Sequence, residues 1–365
     1  MIQINKYRWL SYLATMLISL LVGLLFIKIA YYYSYLYYEW VITPIFVIVV
    51  IVLFGIILLI NTMTKINKHQ TSFQYLKTEV FPSLMISEEE HQQAITLFNN
   101  YMKRIYFYKA LFSIAMVSIS FFASLLIDLM TFVYNFEPHL FFMIIITVFT
   151  YLAFFLCLLL LQIITTKVYQ NNVLSIIDTH TLVFLDFSYL YLLNNYASMA
   201  CPFVYKMNIS AGLSRLGEIE WANIYLKQLW NEEKRMTRNK QNQIVYYFNS
   251  YLFSCLLHLD NTQYYEQKTQ ELLQHKPQLL KNKTIASIPL RIQIEKAFQN
   301  QQWQQVISLI NEYDQKQPDQ KDHTYYDYML YTAYSYTDES KAQDYYDKNK
   351  DHPSFLKLLN LGKKA

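Results

Sequence analysis

Glycine is nearly missing from this chain: 5 in 365 residues, where the usual share is ~7%. Few positions can therefore adopt φ > 0 cheaply. That argues against an all-β fold and against a Gly-rich phosphate loop. Charge is also sparse, at 16% against the ~25% of ordinary soluble chains. The net charge of +4 is small and scattered, so no nucleic-acid partner is expected. Three cysteines, Cys157, Cys201 and Cys255, make no CxxC pair and no disulfide framework. There is no HExxH, no GxSxG and no zinc-type Cys/His spacing. We therefore expect no catalytic residue, no metal and no cofactor; the chain reads as a non-enzyme. What is abundant is apolar bulk: 54% of residues are hydrophobic, and 34 are tyrosine.

The apolar residues are concentrated in the first half. A bilayer core of ~30 Å needs about 20 apolar helical residues. Four stretches meet that length, and we place spans at about 9–30, 40–64, 108–134 and 140–166. The first is too long for a signal peptide and lacks a small-x-small cleavage site, so it reads as an uncleaved anchor. Lys and Arg are one-sided. Lys6, Arg8, Lys65, Lys68, Lys77, Lys103, Arg104, Lys109 and Lys167 all fall on one side, while the loops 31–39 and 137–139 have none. By the positive-inside rule both termini are cytoplasmic, which predicts a multi-pass protein of the cell membrane. The tyrosine-rich loop 31–40 reads as an aromatic belt at the headgroup level.

Polar residues inside the spans are few. Ser11, Thr15, Ser19 and Gly23 form one small-residue stripe, and Ser113, Ser120, Ser124 and Asp128 form another. Such faces let helices approach closely in lipid, within the chain or in a homo-oligomer. Asp128 is the one acid well inside a span and is a functional candidate for that reason. Lys28 lies at similar depth and could pair with it or snorkel.

Between the two membrane hairpins lies a cytoplasmic loop, 65–107. Ser87-Glu88-Glu89-Glu90 reads as a capping box that starts a helix. The stripe Ala94, Leu97, Phe98, Tyr101 and Ile105 carries that helix toward the third span. His91 reads as a solvated first-turn residue.

After Thr166 the composition shifts to Gln, Asn, Lys and Tyr. The run Leu182–Leu193 is too short to span and holds Asp186, so it reads as a buried or interfacial helix. Turn signals at Gly217, Asp260-Asn261, Pro277, Asn300, Pro318, Asp338 and Pro353 then divide the chain. They predict helix pairs at about 203–216 with 219–234, 241–259 with 262–275, 283–299 with 302–314, and 322–336 with 339–350.

The segment Gly217-Glu218-Ile219-Glu220-Trp221-Ala222, followed by Leu226 and Leu229, resembles a tetratricopeptide-type repeat. Trp303 and Val306, followed by Ile310, resemble a second unit; Ala342 with Tyr346 resembles a third. The segment around Tyr265 would be the fourth and departs from the pattern. Ala222, Tyr265, Val306 and Ala342 stand 43, 41 and 36 residues apart, against ~34 in that family. The resemblance implies a stack of α-hairpins with a concave binding face. Inner-face residues would come from first helices, which points to Asn249, Arg291 and Tyr328 as partner contacts.

The expected fold is thus all-α: a four-helix membrane region over 1–167 and a cytoplasmic, TPR-like α-hairpin domain over 168–365. The expected function is a membrane-anchored scaffold or adaptor, held in the lipid bilayer, that binds a protein or peptide through its repeats. The composition looks like that of low-GC bacterial proteins. The alternative is a subunit of a transport, channel or bacteriocin-immunity system with Asp128 in the membrane path.

Overall fold

The computed structural model describes residues 71–133, 140–177, 179–194, 203–232, 239–316 and 324–362. Among these residues every regular element is helical and no strand occurs, so the fold class is all-α. The spans placed at 9–30 and 40–64, with Lys28, lie outside the described residues. The chain divides into two compact units: one holds Gln92–Ser175, the other Ile66–His91 and Ile176–Ala365.

The first unit is built on two long helices, α2 (Glu88–Val133) and α3 (Leu140–Asn172). The helix α2 has 46 residues, which is about 69 Å at the usual rise. The capping box forms at its start. The Ser87 amide donates to Glu90 Oε2 at 2.8 Å, and the Glu90 amide donates to Ser87 Oγ at 3.3 Å. Two helices, Glu88–Ala123 and Val148–Ile176, are long and apolar enough to cross a membrane. Their outer faces are bare hydrocarbon: Ile114, Phe121, Phe122 and Leu129 on α2, with Phe149, Phe155 and Leu160 on α3, are exposed. Hydroxyls inside this apolar surface turn back on their own helices. Ser118 donates to the Ile114 carbonyl and Thr150 to the Ile146 carbonyl. The polar ends of the two helices are tied together. Arg104 donates to Asn172 Oδ1 at 2.6 Å, and Tyr101 meets Tyr169 edge-on.

The second unit begins with a helical segment, α1 (71–83), that carries a π-helical turn at Leu76–Val80. It continues with α4 (Thr181–Asn194), α5 (Phe203–Arg215), α6 (Ile219–Glu232), α7 (Lys240–Leu256), α8 (Thr262–His275), α9 (Ile288–Gln299), α10 (Trp303–Lys316), α11 (Thr324–Ser335), α12 (Glu339–Asn349) and α13 (Pro353–Gly362). The pairs α5–α6, α7–α8, α9–α10 and α11–α12 pack as hairpins, close to the pairs the turn signals predict.

Three of these hairpins turn in the same way. Gly217, His258 and Gln301 each sit two residues past a first helix with positive φ, at 74°, 51° and 58°. Each donates its amide three residues back: Gly217 to Ser214, His258 to Cys255, Gln301 to Phe298. Each following amide reaches five residues back: Glu218 to Leu213, Leu259 to Ser254, Gln302 to Ala297. That is the Schellman pattern, which satisfies the open carbonyls of a helix end. The second helix then restarts within a few residues. Its fourth residue is Ala222, Tyr265, Val306 or Ala342 in the four hairpins, and all four are buried.

The helix α4 is covered by its own unit. Gly212 lets α5 approach it, since a Cβ there would lie 2.9 Å from Leu185 Cδ2 and 3.2 Å from the Phe184 ring. On another side Phe81 stacks on Tyr189 at 4.2 Å, while the Ser72 amide donates to Glu232 Oε1 at 2.9 Å. The sequence places 65–107 with the membrane region and a boundary at 167/168. The compact units divide after His91 and after Ser175. The reason is burial: Phe73, Leu76, Val80 and Phe81 have a core to join in the second unit. At the other end, α13 packs on α11 and returns to the first hairpin turn. Lys357 pairs with Glu218 at 2.5 Å, and the Ser354 hydroxyl donates to the Arg215 carbonyl.

Candidate functional site

The helices α7, α9, α11 and α13 converge on a cleft of about 210 Å³. The two non-glycine turn residues, His258 and Gln301, sit on its rim. They are there because the Schellman turns of the second and third hairpins end beside it. Its walls are aromatic: Phe298, Trp303, Tyr325 and Tyr328. Trp303 is held by a flat stack on Tyr336, with centroids 4.7 Å apart, and meets Phe298 edge-on.

Glu295 supplies the charge. It lies on α9, is only 2% exposed, and lines the cleft. Tyr325 donates its hydroxyl to Glu295 Oε2 at 2.8 Å. No lysine or arginine nitrogen lies within ion-pair distance of it among the described residues. Burial pushes the Glu295 carboxyl up to about 7, against the opposing pull of the Tyr325 hydroxyl and the Arg291 guanidinium. Burial also drives the Cys255 thiol up, which keeps it protonated and unsuited to nucleophilic attack.

Arg291 stands one turn before Glu295 but points its charge elsewhere. Its Nε donates to the Tyr326 hydroxyl at 2.9 Å, and its guanidinium lies 4.7 Å over the Phe248 ring. Of the three contact positions expected from the sequence, Arg291 is thus half-buried and engaged, and Tyr328 is a buried wall of the cleft. Asn249 is half-buried on α7, away from the cleft lining. Of the residues named for repeat packing, Ala222, Val306 and Ala342 are buried, Gly217 sits in a turn, and Trp221 and Trp303 are half-buried. Asp128 lies within α2.

Sequence reasoning missed Glu295 and Tyr325. The Arg291–Glu295 spacing of one turn was the available signal, but pairing with Tyr325 is a contact between hairpins. It also missed a second buried acid. His91 is not a free first-turn residue: its Nδ1 lies 2.6 Å from Asp186 Oδ2. Burial raises the Asp186 carboxyl, and the bond to His91 offsets part of that. Among the described residues no group of three or more His, Cys, Asp or Glu side chains is placed to hold a metal.

No protein-family model, no curated protein and no solved structure matches this chain. The functional reading therefore rests on the fold and the cleft themselves.

Proposed function

We propose that this protein is a membrane-anchored adaptor. Its TPR-like hairpin stack binds a protein or peptide, and four spans hold it as a multi-pass protein of the cell membrane with both termini cytoplasmic. The observation that carries the proposal is the repeated hairpin turn. Three identical Schellman turns, each followed by a buried residue at the fourth position of the next helix, make a regular frame. Helix-pair stacks of this kind act as rigid presenting surfaces whose role is recognition. The exposed apolar faces of α2 and α3 support the anchor, because water would penalise surface of that extent.

The test is co-purification from membranes in mild detergent, with three tagged forms: the full chain, a form whose 9–64 hairpin is exchanged for an unrelated hairpin, and a form lacking 176–365. The adaptor reading expects the same bound protein on the first two and its loss from the third. Retention by the truncated form, with loss on hairpin exchange, would place recognition in the lipid and refute it. An Asp128→Asn variant that retains the partner is expected as well; a conducting path would fail with that change.

A further inference from the structure

We infer that the cleft between α7, α9, α11 and α13 receives a lysine or arginine side chain of the partner, with Glu295 as its counter-ion; this rests on the adaptor reading. Three features converge on that chemistry. The carboxyl lines the cleft, is almost wholly buried, and has one hydroxyl donor but, among the described residues, no cation in contact. A buried acid left this way is costly unless a positive charge arrives to pair with it. Arg291, one turn away on the same helix, is already committed, since it is held by Tyr326 and Phe248.

The walls suit the rest of such a side chain. Phe298, Trp303, Tyr325 and Tyr328 offer apolar faces for a methylene stem and negative ring faces for its charged head. Trp303 stacks flat on Tyr336 and meets Phe298 edge-on. The size suits a single side chain. The cleft holds about 210 Å³, below the ~300–1,000 Å³ typical of small-molecule sites.

The experiment uses the full chain in detergent and three capped pentapeptides: acetyl-Ala-Leu-Lys-Leu-Ala-amide, its arginine counterpart and its norleucine counterpart. Binding is followed by saturation-transfer NMR and by thermal shift. The basic peptides should bind at least tenfold more tightly than the norleucine peptide, and that preference should grow from pH 5 to pH 8 as the carboxyl ionises. Glu295→Gln should abolish the preference. Trp303→Ala, which leaves the carboxyl in place, should weaken all three peptides while keeping it. Equal binding of the three peptides by the unmodified chain would overturn the inference, as would a basic preference that survives in Glu295→Gln. If n-butylamine alone binds as well as the lysine peptide, the site is one for free amines and the partner-side-chain assignment is wrong. The adaptor reading is tested separately. A co-purified protein that still binds Glu295→Gln and is not displaced by the lysine peptide refutes this inference and leaves the adaptor intact.

Discussion

Glu295→Gln is expected to stabilise the second unit at alkaline pH and to leave it unchanged in acid. Burial pushes the folded carboxyl up to about 7, above its ordinary value of 4.5. Below pH 4.5 both folded and unfolded chains carry the proton, and the residue costs nothing. As pH rises from 4.5 to 7 the unfolded chain loses its proton while the folded one keeps it, so stability falls. Above 7 the loss is complete. A gap of that size corresponds to about 3 kcal/mol, a large share of a stability of ~5–15 kcal/mol. Glutamine has nearly the same shape and keeps an oxygen for the Tyr325 hydroxyl, so packing is preserved. The charged and titratable neighbours include Arg291 on the same helix, Tyr325, Tyr326 and Tyr328 on α11, and Tyr251 and Cys255 on α7. The phenols and the thiol are driven up and stay neutral through this window, so they add no step of their own. Urea midpoints of the detergent-solubilised chain, followed by intrinsic fluorescence from pH 4 to pH 8.5, measure the effect. The variant should match the parent at pH 4 and exceed it by roughly 3 kcal/mol at pH 8. Parallel pH profiles would refute the reasoning, because they would mean that Glu295 ionises freely in the folded state.

Four further outcomes are expected. Gln301→Gly should raise stability by about 1 kcal/mol, since glycine carries no steric penalty at positive φ. Gly217→Ala should lower it by more than ~1 kcal/mol, because its Cβ would also lie 2.8 Å from Lys357 Cβ; thermal melts of the two variants should shift in opposite directions. A fragment 176–365 should fold less cooperatively than the same fragment with a 66–91 peptide added, because α1 covers Tyr189 and caps Glu232; identical circular-dichroism melts would contradict that role. Single cysteines at Ser34 and at Met85, which is 95% exposed, should differ in labelling by an impermeant thiol reagent on intact cells. Ser34 should react and Met85 should not; the reverse would invert the topology.

Much of the architecture was legible because it depends on local patterns. The Ser87–Glu90 box, the stripe through Ala94, Phe98 and Tyr101, and the four hairpins all follow from spacing and turn residues within a few positions of each other. The equivalence of Ala222, Tyr265, Val306 and Ala342 was also readable, although Tyr265 breaks the chemical pattern. There Tyr265 meets Tyr246 edge to face. The positive φ at His258 and Gln301 was not readable, since neither residue announces a left-handed turn.

The site was hidden for the same reason that the hairpins were plain. Sequence alone determined the elements: long apolar helices at one end, paired amphipathic helices at the other, and scarcely any glycine to build anything else. Tertiary structure decided which of them meet. It packed the helical segment 71–83 against α4 and α6, and it paired His91 with Asp186 across 95 positions. It also set Glu295 against Tyr325 while drawing Arg291 away to Tyr326. Periodicity fixes which face of a helix is apolar, but the neighbour covering that face is chosen by packing among distant segments. A buried carboxylate gets its meaning only from that neighbour.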